Sequence, residues 1–217
     1  YGMTECCGSA TLTPVGEFSA DNVGKPLKGF ELRIDPKTGE VQYRSSQQMT
    51  GYYKEPERTA EVIKDGWIHS GDKGSLDKNG NHKIEGRIKD AFKTAKGLYI
   101  TPNKMEEELT KSPLIEQVCV VGLGLDQPLA LVNLSDTAKS MDKAEMEKAL
   151  TAALQKINDS LNNFEKISTI IITKETWSDQ NMLLTPTLKT RRPKIDEKYC
   201  NCYPLWQDNK ACVVWEE

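Results

Sequence analysis

The sequence predicts an α+β protein, and three observations point there. Roughly the first ninety residues read as short strands separated by glycine- and proline-containing turns. The remainder alternates helical and strand patterns. Within it, Met146, Leu150, Leu154, Ile157 and Leu161 fall at helical spacing, between two apolar segments of strand character.

Taken in order, Phe30-Glu31-Leu32-Arg33-Ile34 alternates apolar and polar residues, residues 35–39 turn the chain, and residues 40–44 return as a second strand. Pro56 stands where the first turn of a helix tolerates proline, and that helix is expected to run through residues 58–64. A second hairpin joins residues 74–76 to 82–85 around Asp77-Lys78-Asn79-Gly80, because Asn79 and Gly80 both tolerate positive φ. Pro102 opens a helix that ends before Ser112-Pro113. Residues 117–122 and 129–134 carry nearly contiguous apolar side chains, as buried strands do. Asp142 and Glu145 have capping-box spacing ahead of the apolar stripe, which reads as core packing. Residues 167–173 form a β-branched strand. Residues 90–195 thus read as one compact α+β domain, and Gly86-Arg87-Ile88-Lys89-Asp90 reads as a hinge.

Composition narrows the function. The charge is 29 − 32 = −3, with no basic field to hold nucleic acid. No apolar run approaches the roughly 20 residues of a membrane span, although a peripheral membrane contact stays open. The chain begins at Tyr1 without a signal-peptide pattern and reads as a fragment or processed product. Its 6 cysteines are too sparse for a disulfide framework, which points to a reducing, cytoplasmic setting. Cys200, Cys202 and Cys212 lack the paired spacing of a zinc site. The apolar residues Trp206, Val213, Val214 and Trp215 either dock back or face a partner.

Four segments carry residue types suited to phosphate and sugar chemistry. In Tyr1-Gly2-Met3-Thr4-Glu5, a hydroxyl beside a carboxylate can hold phosphate and Mg²⁺ together, and glycine permits close backbone approach; a capping Thr in a turn is the plainer alternative. In Gly66-Trp67-Ile68-His69-Ser70-Gly71-Asp72, Asp72 can accept from a ribose diol or simply sit in a turn. Arg87 offers a donor fork, and Gly97 lies in the basic turn that follows; both also fit a solvated charge run. Lys189, in Leu184-Thr185-Pro186-Thr187-Leu188-Lys189, can offset charge on a reacting phosphate or belong to a basic surface loop. The neighbouring Arg191 and Arg192 are expected to substitute for it in part.

The order and spacing of these motifs, together with Gly39-Glu40-Val41 and Gly51-Tyr52, resemble the second half of the adenylate-forming superfamily. Within it, the nearest resemblance is to long-chain-type acyl-CoA synthetases, through Gly86-Arg87-Ile88-Lys89-Asp90, Phe92-Lys93-Thr94 and the segment ending in Lys189. The resemblance implies a small β-barrel-like subdomain of the large AMP-binding domain (residues 1–88), a mobile α+β lid (89–195) and a tail (196–217). It implies that Tyr1 stacks on adenine, with Gly2 beside it. Thr4 would contact phosphate, Glu5 would bind Mg²⁺, and Asp72 and Arg87 would grip the ribose. Lys89 matches the hinge, Gly97 the loop lining the pantetheine tunnel, and Lys189 the lysine that bridges carboxylate and α-phosphate.

The implied activity is ATP-dependent acyl-CoA synthesis from a fatty acid, with CoA as co-substrate. Alternatives are a ligase that loads a carrier protein and a non-catalytic nucleotide-binding module. Ser70 replaces the usual Thr, Leu188 replaces the glycine that usually precedes the lysine, and the phosphate loop and most of the acyl pocket are not in the chain. The chain alone is therefore expected to be inactive.

Overall fold

The computed structural model describes residues 1–20 and 22–217. The chain forms two compact units, Tyr1–Lys89 and Asp90–Glu217. Together they make a mixed α+β protein, as the sequence predicts.

The first unit is built on a curled five-stranded sheet. Its centre is the long strand Trp67–Leu76, paired on one side with Glu40–Ser45 and on the other, in succession, with Ile63–Lys64 and His82–Arg87. Phe30–Ile34 completes the sheet beside Glu40–Ser45. The register slips between Lys73 and Gly74 and again between Glu40 and Gln42, which bends the sheet. Val41, Tyr43 and Ile68 pack with Cys6 and Ala10 as its core.

Two expectations change here. The helix covers Pro56–Val62 only, because Ile63–Lys64 pairs with the start of the long strand. The two residues between them, Asp65 and Gly66, have φ of 51° and 77°, a two-residue hairpin of the type Asp-Gly favours. The hairpin expected around Asn79-Gly80 forms, with Leu76 opposite His82, but only Gly80 takes positive φ, at 78°. There Asp77 N donates to Asn81 O and Gly80 N donates to Asp77 O, so Gly80 fills the left-handed position after an ordinary turn.

The second unit is a four-stranded sheet covered on both faces. Ile115–Val121 and Leu129–Leu134 are antiparallel, Thr169–Ile172 joins Leu129–Leu134 in parallel, and Val213–Trp215 joins Thr169–Ile172 in parallel. Strand alternation sends Val118, Val120, Ala130, Val132, Ile170 and Ile172 to one core with the helices Asn103–Leu109 and Lys143–Asn158. Cys119, Val121, Leu129, Leu131 and Ile171 face the other, with Trp177 and the helices Arg192–Tyr199 and Tyr203–Asp208. Burial on both faces is why these strands read as apolar runs. Asp142 caps the long helix, accepting from Ala144 N and Glu145 N.

The apolar C-terminal residues dock back. Trp215 Nε1 donates to Glu147 Oε1 at 2.7 Å and Lys143 lies over the Trp215 ring. Among the described residues no helix is long and apolar enough to cross a membrane.

Candidate functional site

In the first unit, Gly2–Met3 pairs with Gly8–Ser9, and the short 3-10 turn Thr4–Cys6 crosses between them. A Cβ at Gly2 would lie 2.2 Å from the Gly8 carbonyl oxygen, so the hairpin itself requires glycine there. The turn, with Met3 at its N-cap, presents Thr4, exposed, and Glu5, half-buried. Glu5 Oε1 accepts from the Tyr52 hydroxyl at 2.6 Å. Thr4 and Glu5 are adjacent hard oxygen donors of the kind Mg²⁺ and phosphate take, so the residues fit that pair.

Asp72 is buried within the long strand rather than in a turn. Its backbone N–H donates to Ser70 Oγ, which donates to Val41 O at 2.6 Å. Oδ1 is ion-paired with Arg87 Nε at 2.8 Å, and Oδ2 accepts from the Tyr1 hydroxyl. A carboxylate has about four acceptor positions, so the group has capacity for a further donor such as a sugar hydroxyl. Arg87 also donates to Ser70 O, yet more than half of its side chain stays exposed. The Tyr1 ring stacks on Tyr43 at 5.7 Å and meets His82 edge-on at 5.5 Å. Burial, and then the bond to Asp72, push the Tyr1 hydroxyl pKa well up, which keeps it a proton donor. Burial also lowers the His82 pKa to about 4.

Gly71, just before Asp72, is held from the Gly39-Glu40-Val41 segment. Glu40 accepts from Gly71 N at 3.0 Å and bonds His69 Nδ1 at 2.6 Å. Lys89 is exposed in the short 3-10 turn Ile88–Asp90 and is the last residue of the first unit.

In the second unit, Gly97 and Lys189 occupy loops of one design. In Thr94–Leu98, Thr94 N donates to Leu98 O, Gly97 N donates to Thr94 O, and Leu98 N donates to Thr94 Oγ1. In Thr185–Lys189, Thr185 N donates to Lys189 O, Leu188 N donates to Thr185 O, and Lys189 N donates to Thr185 Oγ1. The fourth residue is left-handed in both, with φ of 81° at Gly97 and 60° at Leu188. Leu188 therefore holds a conformation that suits glycine, and Lys189 projects from the next position, exposed.

One expectation fails at this loop. Arg192 is buried, not a neighbouring surface cation. It donates to Glu106 Oε1 at 2.6 Å, to Cys119 Sγ at 3.2 Å and to Val120 O. Its charge is committed to the core and is not free to replace that of Lys189. Nothing in the local sequence marks Glu106, 86 residues away, as its partner.

A family model described as the AMP-binding enzyme C-terminal domain matches residues 89–202. The chain is 35% identical to long-chain-fatty-acid–CoA ligase 5 of Rattus norvegicus, over 90% of this chain and 33% of that protein. It is 32% identical to long-chain-fatty-acid–CoA ligase 6 of Homo sapiens, over 92% of this chain and 33% of that protein. The chain thus spans about a third of the length of the curated relatives it matches. Among solved structures it resembles the A domain of a carboxylic acid reductase from Segniliparus rugosus, in complex with AMP and a carboxylic acid. The TM-score is 0.72 and the identity 26%, over 88% of this chain and 34% of that one. With more than half of its residues matched by that family model, the chain belongs to the AMP-binding, adenylate-forming enzymes.

Proposed function

We propose that the chain is the C-terminal part of an ATP-dependent long-chain acyl-CoA synthetase, and that it carries the ribose grip, the hinge and the adenylating lysine. The observation that carries this reading is the buried Asp72 carboxylate, ion-paired with Arg87 and bonded by the Tyr1 hydroxyl. The match to long-chain ligases over nine-tenths of the chain supports the substrate class.

In this reading the carboxylate oxygen of a fatty acid attacks the α-phosphorus of ATP, and pyrophosphate leaves. The Lys189 ammonium stabilises the negative charge that builds on the non-bridging oxygens, more in the transition state than in the ground state. The Tyr1 ring and the Asp72–Arg87 pair hold adenine and ribose. Thr4 and Glu5 would hold phosphate and Mg²⁺, and bound Mg²⁺ supplies charge neutralisation on the triphosphate. In the second half-reaction the thiol of CoA attacks the acyl carbon and AMP leaves as the mixed anhydride breaks. Lys89 is the pivot that exchanges Lys189 for the Gly97 loop between the two steps.

ATP–pyrophosphate exchange driven by a long-chain fatty acid in the full-length protein tests the reading; no exchange with any carboxylate would leave a nucleotide-binding module. Release of AMP on adding CoA identifies the acceptor, and a requirement for a carrier protein would reassign it. Residues 1–217 alone should give negligible product, because they lack the parts that position the triphosphate and acyl chain.

A further inference from the structure

The Glu5 carboxylate is held from outside its own motif. The segment that follows the second strand of the sheet reaches Glu5 twice: Met49 N donates to its backbone carbonyl at 2.9 Å, and the Tyr52 hydroxyl donates to its Oε1 at 2.6 Å. Tyr52 is itself fixed at both ends. Its backbone N–H donates to Thr59 Oγ1 at 2.9 Å, and the Arg58 guanidinium lies 4.3 Å from its ring centroid. Arg58 is braced in turn by Glu55 at 3.1 Å. A phenol held this way fills one acceptor position on Oε1 and restrains the carboxylate rotamer. Among the described residues, no hydrogen bond or ion pair engages Oε2.

We propose that Tyr52 is the positioning residue for Glu5, presenting its carboxylate as a one-oxygen ligand to a divalent cation bound with nucleotide triphosphate. The proposal rests on the reading of Glu5 as that ligand. Ligating carboxylates depend on such outer hydrogen bonds, and removing one typically weakens metal binding by about 10–100-fold.

The test uses the full-length enzyme with Tyr52→Phe, Glu5→Gln and the double variant. Mn²⁺ serves as the probe, its binding in the presence of ATP read from the loss of the free-ion EPR signal. ATP binding without divalent cation is measured by calorimetry. Tyr52→Phe should weaken Mn²⁺ binding by about tenfold or more, while ATP affinity without metal is retained. Added to Glu5→Gln, Tyr52→Phe should have no further effect, since both act through one carboxylate.

If Glu5→Gln leaves Mn²⁺ binding unchanged, the reading of Glu5 falls and the proposal falls with it. A weakening in Glu5→Gln but not in Tyr52→Phe overturns the proposal alone. So does a Tyr52→Phe enzyme that loses metal-free ATP binding and Mn²⁺ binding together, which would mark Tyr52 as scaffold.

Discussion

Asp72 and Arg87 stand opposite each other in register on adjacent strands, with Arg87 Nε 2.8 Å from Asp72 Oδ1. The sheet ladder therefore sets the distance between the carboxylate and the guanidinium, and the flexible side chains do not have to find it. Replacing Asp72 by Ala removes an anchor for two donors at once. Losing a charge-assisted hydrogen bond to ribose is worth about 1.5–3 kcal/mol, so the KM for ATP in pyrophosphate exchange should rise by roughly 10–100-fold. A KM within twofold of the parent would remove Asp72 from the ribose site.

Lys189→Ala should slow adenylation by roughly 10²–10³-fold, the scale of losing one donor aimed at developing charge. Transfer of a supplied acyl-adenylate to CoA should change little. Burial of Arg192 sharpens the expectation, because that cation is held by Glu106 and cannot move to the gap. Arg191→Ala in the Lys189→Ala background measures what remaining rescue there is. Equal losses in both half-reactions of Lys189→Ala would mean that the lysine does another job.

The His82 side chain is buried, bonds the Tyr43 hydroxyl at 3.0 Å and has its pKa lowered to about 4 from the usual 6.5. The unfolded chain therefore binds a proton between about pH 6.5 and pH 4 that the folded chain refuses. This group's share of stability is complete above pH 6.5 and is lost as pH falls towards 4. Urea midpoints taken across that window should fall with acidity, and His82→Gln should flatten the slope. A slope unaltered in the variant would assign the acid sensitivity to other groups.

Leu188 adopts φ of 60° with its side chain exposed, so glycine there loses little packing and relieves the left-handed strain. That relief, about 1–2 kcal/mol, exceeds the roughly 0.5–1 kcal/mol that glycine loses in chain entropy. Leu188→Gly should raise the thermal midpoint slightly, and Leu188→Ile should lower it, since a β-branched residue suits this region least. Circular dichroism melts of the two variants against the parent check both signs.

The sequence is most legible where a pattern is local and repeated. Met146, Leu150, Leu154 and Ile157 are buried along one helix as their spacing requires, and the strands of the second unit read as apolar because both faces are covered. Hairpin chemistry is legible too: residues 74–76 and 82–84 pair across the expected turn, although only Gly80 takes positive φ there. The two-residue turn at Asp65-Gly66 is hidden, because the end of the preceding helix is set by strand pairing at Ile63 and not by helix propensity. The candidate site was readable as motifs but not as contacts. Tyr52 with Glu5, Glu40 with Gly71, and Glu106 with Arg192 join residues 47, 31 and 86 positions apart, and no local periodicity encodes such pairs.

Thr169–Ile172 has Leu129–Leu134 on one side and, on the other, only the three residues Val213–Trp215. During synthesis the Thr-Ile-Ile-Ile segment leaves the ribosome about forty residues before its second neighbour does. For that interval it is an open strand edge of the composition most apt to pair with another chain. Docking of Val213–Trp215 exchanges this edge for a shorter one followed by Glu216 and Glu217, which discourages further pairing by length and by charge. The last strand thus acts as a cap against aggregation, and nascent chains stalled before residue 213 should be the form that chaperones hold.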